Sequence, residues 1–167
     1  MSRGFVKEDD QEEAPFIPPR AALPDGVPNH VTPRGLQLLQ DERTALMEER
    51  AGLQGSDDER RRRHAEFDGR LALLNERIVT AHVVERAEGS PEEVRFGSTV
   101  TYRHADGPQR GTERTFTIVG VDEASVKELR IAFTAPIARV LIGTRVGDRV
   151  PFQLGATIQH LEILNIR

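Results

Sequence analysis

The sequence has no cysteine, no tryptophan, one tyrosine and an aromatic fraction of only 5%. Without cysteine the chain forms neither disulfides nor thiolate metal sites, which suits a reducing cytoplasm. Long apolar runs are missing as well. No segment approaches a membrane span, and Met1 to Asp10 show no extended apolar core, so a cytoplasmic protein without membrane contact is expected. Positive charge is not in surplus either: 23 Lys and Arg stand against 27 Asp and Glu, a formal net charge of -4 at a pI near 5.8. A protein holding DNA across a broad face needs the opposite balance, so the expected partner is another protein.

Catalytic signatures are also lacking. There is no Gly-x-Ser-x-Gly elbow, no Gly-x-x-x-x-Gly-Lys phosphate loop and no Gly-x-Gly-x-x-Gly turn. The histidines His30, His64, His82, His104 and His160 are scattered, without the short spacing of metal ligands. His64 falls near the turn of a predicted hairpin, where a hydrated polar layer suits it, and His160 falls in a predicted strand.

Helical periodicity is abundant. Leu39, Leu46 and Leu53 recur every seven residues with Leu36 on the same side, and Phe67, Leu71, Leu74, Ile78 and Ala81 step by 4, 3, 4 and 3. That is the seam of an antiparallel helical hairpin, closed by Gln54-Gly55-Ser56. Thr32-Pro33 supplies a cap and a first-turn proline for helix one, and Ser56-Asp57-Asp58-Glu59 is a Ser-x-x-Glu capping box for helix two. Helix two is expected to run to about Val84. Arms of about 21 to 28 residues would project roughly 30 to 40 Å. Since the hairpin buries its own seam, a monomer is expected.

With 167 residues, 37% hydrophobic and 30% charged, the composition suits one rod and one small globular unit. From Val94 the period changes to two. Strands are expected at Thr99–Tyr102, Thr115–Val119, Leu129–Phe133, Val150–Leu154 and Ile158–Ile166, with a turn at Asp106-Gly107-Pro108 and one short helix over Pro136–Ile142. The fold class is therefore α+β: an N-terminal antiparallel coiled-coil hairpin over residues 32–86, then a small β-sheet domain over 92–167. Residues 1–31 combine an acidic cluster (Glu8, Asp9, Asp10, Glu12, Glu13) with Pro15, Pro18, Pro19, Pro24 and Pro28, which reads as an extended or disordered leader, a solvated tail or a peptide arm laid on a partner.

Two readings of the hairpin turn stand side by side. Asp57, Asp58 and Glu59 at the end of a rod can lend oxygen ligands to a Mg²⁺ held mainly by another protein's active site. The same acids also complement the helix dipole, build the capping box and pair at i,i+4 with Arg61, Arg62 and Arg63. The Arg60–Arg63 run wraps more than one helix face, so most of it must be solvated or paired.

Several stretches carry a resemblance: Thr32-Pro33-Arg34-Gly35 with Leu36 and Leu39; Phe96-Gly97-Ser98-Thr99-Val100; Thr117-Ile118-Val119-Gly120-Val121-Asp122-Glu123; and Thr134-Ala135-Pro136-Ile137-Ala138-Arg139-Val140-Leu141-Ile142-Gly143 with Val146-Gly147-Asp148. Together they resemble the Gre family of bacterial transcription elongation factors. The resemblance implies an FKBP-like C-terminal fold that docks at the rim of the RNA polymerase secondary channel while the coiled coil enters it. It further implies that acids at the turn, here Asp57, Asp58 and Glu59, help hold a Mg²⁺ shared with the polymerase active site, where backtracked nascent RNA is cleaved. The factor would own no cofactor and would touch RNA only within that complex. Asp122, Glu123, Pro136, Ile137, Ala138, Arg139 and Leu141 are the implied partner-binding residues. The turn itself departs from the family pattern, keeping a glycine and acids but not Glu-Asn or the tyrosine, and both arms are about two turns shorter, roughly 11 Å less reach. A channel-binding regulator without cleavage is therefore the alternative. Prolyl isomerase activity, suggested by the FKBP-like resemblance, is disfavoured because its pocket requires aromatic side chains.

Overall fold

The computed structural model describes residues 14–86 and 89–167. The acidic cluster from Glu8 to Glu13 and the linker residues Ala87 and Glu88 lie outside that range. Strand β1, His30–Val31, precedes helix α1, Pro33–Ala51; helix α2 spans Asp57–Val79 and strand β2 His82–Val83. The sheet unit follows as β3 (Thr99–His104), β4 (Glu113–Val119), β5 (Arg130–Ala132), helix α3 (Pro136–Leu141), β6 (Arg149–Leu154) and β7 (Thr157–Ile166).

The hairpin forms because its apolar seam can be buried only by pairing the two helices. Leu39, Leu46, Leu53, Phe67 and Leu74 are buried together with Val31, and Leu36, Leu71, Ile78 and Ala81 pack at the margins. Both caps are in place. Thr32 Oγ1 accepts from Gly35 N at 2.9 Å, while Ser56 and Glu59 bond each other's backbone reciprocally. At 1.5 Å per residue the helices are about 28 and 34 Å long.

Helix α2 stops earlier than the expected Val84. Thr80 caps it, and Asn29 reaches across to donate to the Arg77 carbonyl at 2.9 Å and to Thr80 Oγ1 at 3.3 Å. The chain then pairs in parallel with β1, His30 opposite His82 and Val31 opposite Val83. A side chain from before α1 thus helps terminate α2 by satisfying one of its last free carbonyls, that of Arg77. The expected leader over residues 1–31 is described only from residue 14, where most side chains are exposed but the end of the stretch is packed. Asn29 and Val31 are buried, and residues 17–31 lie against the hairpin with one turn at Asp25-Gly26.

In the second unit the strand order is β5-β4-β3-β7-β6, with β4 and β5 parallel and the other neighbours antiparallel. Its core is Val94, Val100, Tyr102, Ile118, Ala138, Leu141, Leu161, Ile163 and Ile166, closed on one side by α3. The alternation read from Thr99 onward is the inward face of β3: Val100, Tyr102 and His104 point in, and the residues between them are half-buried. Strand β5 begins one residue later than expected, because a 3-10 turn over Val126–Glu128 leaves Leu129 in the left-handed region at φ 54°.

The β3–β4 loop is pinned by a carboxylate. Asp106 accepts from the His160 backbone N–H at 2.8 Å and pairs with His160 Nδ1 at 2.6 Å. Those two bonds, backbone first, hold the Asp106 carboxyl below its ordinary pKa. A carboxylate whose pKa is depressed on folding stabilises the protein fully above its unfolded value, near 4, and progressively less as pH falls through the folded value. Urea midpoints are accordingly expected to fall below about pH 4 in the parent protein and to fall less steeply in Asp106→Asn. Parallel slopes would refute the role of this carboxylate.

Candidate functional site

At the hairpin turn, Gly55 has φ 125° and Asp57, Asp58 and Glu59 are all exposed. Asp57 pairs with Arg60 and Asp58 with Arg61, both at i,i+3. The expected i,i+4 partners of the two aspartates are therefore corrected by one residue, while Glu59 keeps the charge of Arg63 nearby. On a helix both spacings bring side chains together, so the rotamers of the arginines decide between them. Glu59 Oε2 accepts from Ser56 N at 2.9 Å and from Ser56 Oγ at 3.0 Å. The backbone bond, then the hydroxyl bond, holds the Glu59 carboxyl below its usual range. His64 is half-buried beneath this turn, with Nδ1 unpartnered among the described residues.

Three carboxylates in a row present hard oxygen donors of the kind Mg²⁺ takes. Exposed ion pairs such as Asp57–Arg60 are worth only about 0–1 kcal/mol, so an incoming dication could draw both aspartates away cheaply. Glu59 is less available, since leaving Ser56 would open the cap. Among the described residues no group of three His, Cys, Asp or Glu is arranged to hold a metal by itself. The donor set fits a partial shell completed from elsewhere.

The second group of sequence-assigned residues divides on inspection. Asp122 and Glu123 do not face outward. Their side chains are 7% and 1% exposed and they join the sheet unit to the hairpin. Glu123 accepts from the Thr32 hydroxyl and from Arg130, with Arg34 at 3.6 Å. Asp122 accepts from Arg20 Nε at 2.9 Å and lies 3.7 Å from Arg77. These two acids are thus corrected from partner contacts to internal ones, because the end of β4 abuts the start of α1. Close approach is also built into the glycines: a Cβ on Gly35 would sit 2.8 Å from Glu123 Oε2, and one on Gly120 2.7 Å from the His30 carbonyl oxygen.

Helix α3 shows the same division. Ala138 and Leu141 are fully buried in the sheet core, which corrects their assignment as contacts. Pro136 and Arg139 are exposed and Ile137 is half-buried, with Ile142 exposed beyond the helix end at 40%. The buried pair instead orients the exposed one. This short face and the acidic turn are exposed among the described residues.

Arg20 was missed by sequence reasoning. It is the one charged residue between Ala14 and Leu23, a stretch otherwise made of proline and apolar side chains, and such isolation was the available signal. Its guanidinium also donates to Glu42 Oε1 and Oε2 at 2.9 and 3.0 Å. The bonds to Glu42, with the charge of Asp122, raise its pKa against the opposing effect of burial.

Residues 89–167 match the family described as transcription elongation factor, GreA/GreB, C-term. Transcription elongation factor GreA of Pelobacter propionicus is 34% identical over 110 residues, covering 66% of this chain and 68% of the relative. GreA of Chloroflexus aggregans is 34% identical over 113 residues, covering 68% and 70%. A solved GreA/GreB factor from Nitrosomonas europaea is similar at 20% identity and a TM-score of 0.40, covering 82% of this chain and 97% of that one.

Proposed function

Because the chain belongs to the GreA/GreB family of transcription elongation factors, we propose that it binds RNA polymerase at the secondary channel and modulates elongation from there. The observation that carries this reading is the joining of a projecting acidic hairpin to a sheet unit with a short exposed face at Pro136 and Arg139. The exposed face of α3, with Ile142, is the docking surface, and the hairpin is the inserted arm. The protein itself performs no chemistry in this reading. Hydrolysis of backtracked RNA belongs to the polymerase active site, and Asp57, Asp58 and Glu59 are the groups that would contact its Mg²⁺.

A second reading is favoured by the turn itself. Both aspartates are already paired to neighbouring arginines and Glu59 is committed to Ser56, so a factor that occupies the channel without assisting cleavage also fits. Backtracked elongation complexes of the cognate polymerase separate the two. Shortened RNA that is lost in Asp57→Ala and Asp58→Ala supports the metal role. Longer pauses without shortened RNA support the channel-occupying role. Failure to bind polymerase at all refutes both.

A further inference from the structure

The described part of the leader makes contacts that neither the family nor the proposed role assigns. Ile17 sits against Gly69 in the middle of α2, where a Cβ would lie 2.5 Å from Ile17 Cδ1. Glycine is a poor helix former compared with alanine, and here it makes the notch that receives Ile17. Three residues on, Arg20 grips Glu42 on α1 and Asp122 beyond β4 with the same guanidinium. Arg77 of α2 donates to the Ala21 carbonyl, and Asn29 caps α2 as described above. Residues 17–31 therefore touch both helices and the sheet unit.

Where these contacts fall matters more than their number. At its start α1 is held to the sheet unit by Thr32 and Arg34 on Glu123. Arg34 also pairs with Glu128 at 3.0 Å and Arg77, in the last turn of α2, lies 3.7 Å from Asp122, but these ties too are at the foot of the rod, and a rod held only at its foot pivots. Glu42 lies nine residues beyond Pro33, about 14 Å up the helix. A tie from that height to Asp122 closes a triangle with the foot of α1, as a diagonal strut does. We propose that residues 17–31 form an internal brace, with Arg20 as its positioning residue, that fixes the direction of the hairpin relative to the sheet unit. Without it the arm swings about its foot while both units stay folded.

This proposal is independent of polymerase and is tested on the full chain alone. The absence of native cysteine allows two spin labels, at Glu49→Cys on α1 and Asn165→Cys on β7, both exposed. Electron-resonance distance measurement should give one narrow distribution in the parent. Arg20→Ala should broaden it about twofold, as a single held orientation gives way to several. Glu42→Ala, which removes the upper end of the brace from a half-buried position outside the apolar seam, should do the same and decides the matter should Arg20→Ala fail to fold. Arg50→Ala is the control, because the Arg50–Asp68 pair joins α1 to α2 without reaching the sheet unit, and its width should stay that of the parent. Unchanged widths in folded Arg20→Ala or in Glu42→Ala, or equal broadening in Arg50→Ala, would overturn the brace.

Discussion

Replacing Glu123 by alanine is expected to cost about 3 kcal/mol of folding stability, the lower end of the range for removing one partner from a buried ion pair. The side chain is 1% exposed and serves three groups from two elements. Its loss leaves Arg130, itself only 24% exposed, without its shortest partner and frees the Thr32 hydroxyl that also caps α1. The lower end applies because Arg130 keeps Glu128 at 3.1 Å. Glu123→Gln should cost less, since it retains an acceptor for Thr32, although its NH2 then takes the place of the oxygen that accepts from Arg130. Urea denaturation of the two variants measures the difference. A loss below about 1 kcal/mol in Glu123→Ala would place this carboxylate in the class of surface pairs and undo the account of the junction.

That junction also shows which parts of the fold were legible in the sequence. Heptad leucines such as Leu39 and Leu46, the Ser56–Glu59 box and the alternation of β3 are local patterns whose physics is complete within a few residues. The end of α2 is different. Thr80 becomes a stop because Asn29, 48 residues before Arg77, bonds the Arg77 carbonyl and the Thr80 hydroxyl, and no window around Thr80 contains that information. Asp122 and Glu123 fail for the same reason. Two acids after a strand look like a solvated corner until α1 is placed against them, and the buried Ala138 and Leu141 look like the exposed Arg139 until α3 is placed on its sheet. The turn acids were legible as residues and as a cap, whereas their choice of arginine partner rests on rotamers. Family motifs located these surfaces, but packing decided which of their side chains face outward.

Leu74→Ala is the second large expected effect, and it bears on whether hairpin and sheet unit unfold together. Leu74 is fully buried at the centre of the seam, flanked by Phe67, Leu39 and Leu46. Removing a buried leucine side chain costs about 2–5 kcal/mol, the spread reflecting how far the site can collapse. Two helices packed by one seam can close a gap by sliding together more readily than a deep core can, so about 3 kcal/mol is expected. The seam has only four buried apolar residues on the helices themselves, and Leu53, just past the end of α1, is already 9% exposed, so little packing is left to compensate. The sheet unit has its own core, with Ile118, Leu141 and Leu161 all fully buried, and no side chain of that core comes from α1 or α2. Amide exchange should therefore accelerate throughout α1 and α2 while the amides shared by β3 and β7 keep their protection, as expected when contiguous parts of a protein open separately. Equal acceleration in β3 and β7 would mean that Glu123 and Arg20 couple the two units into one cooperative whole, and would require the hairpin to be treated as part of the sheet unit's stability rather than as an arm carried by it.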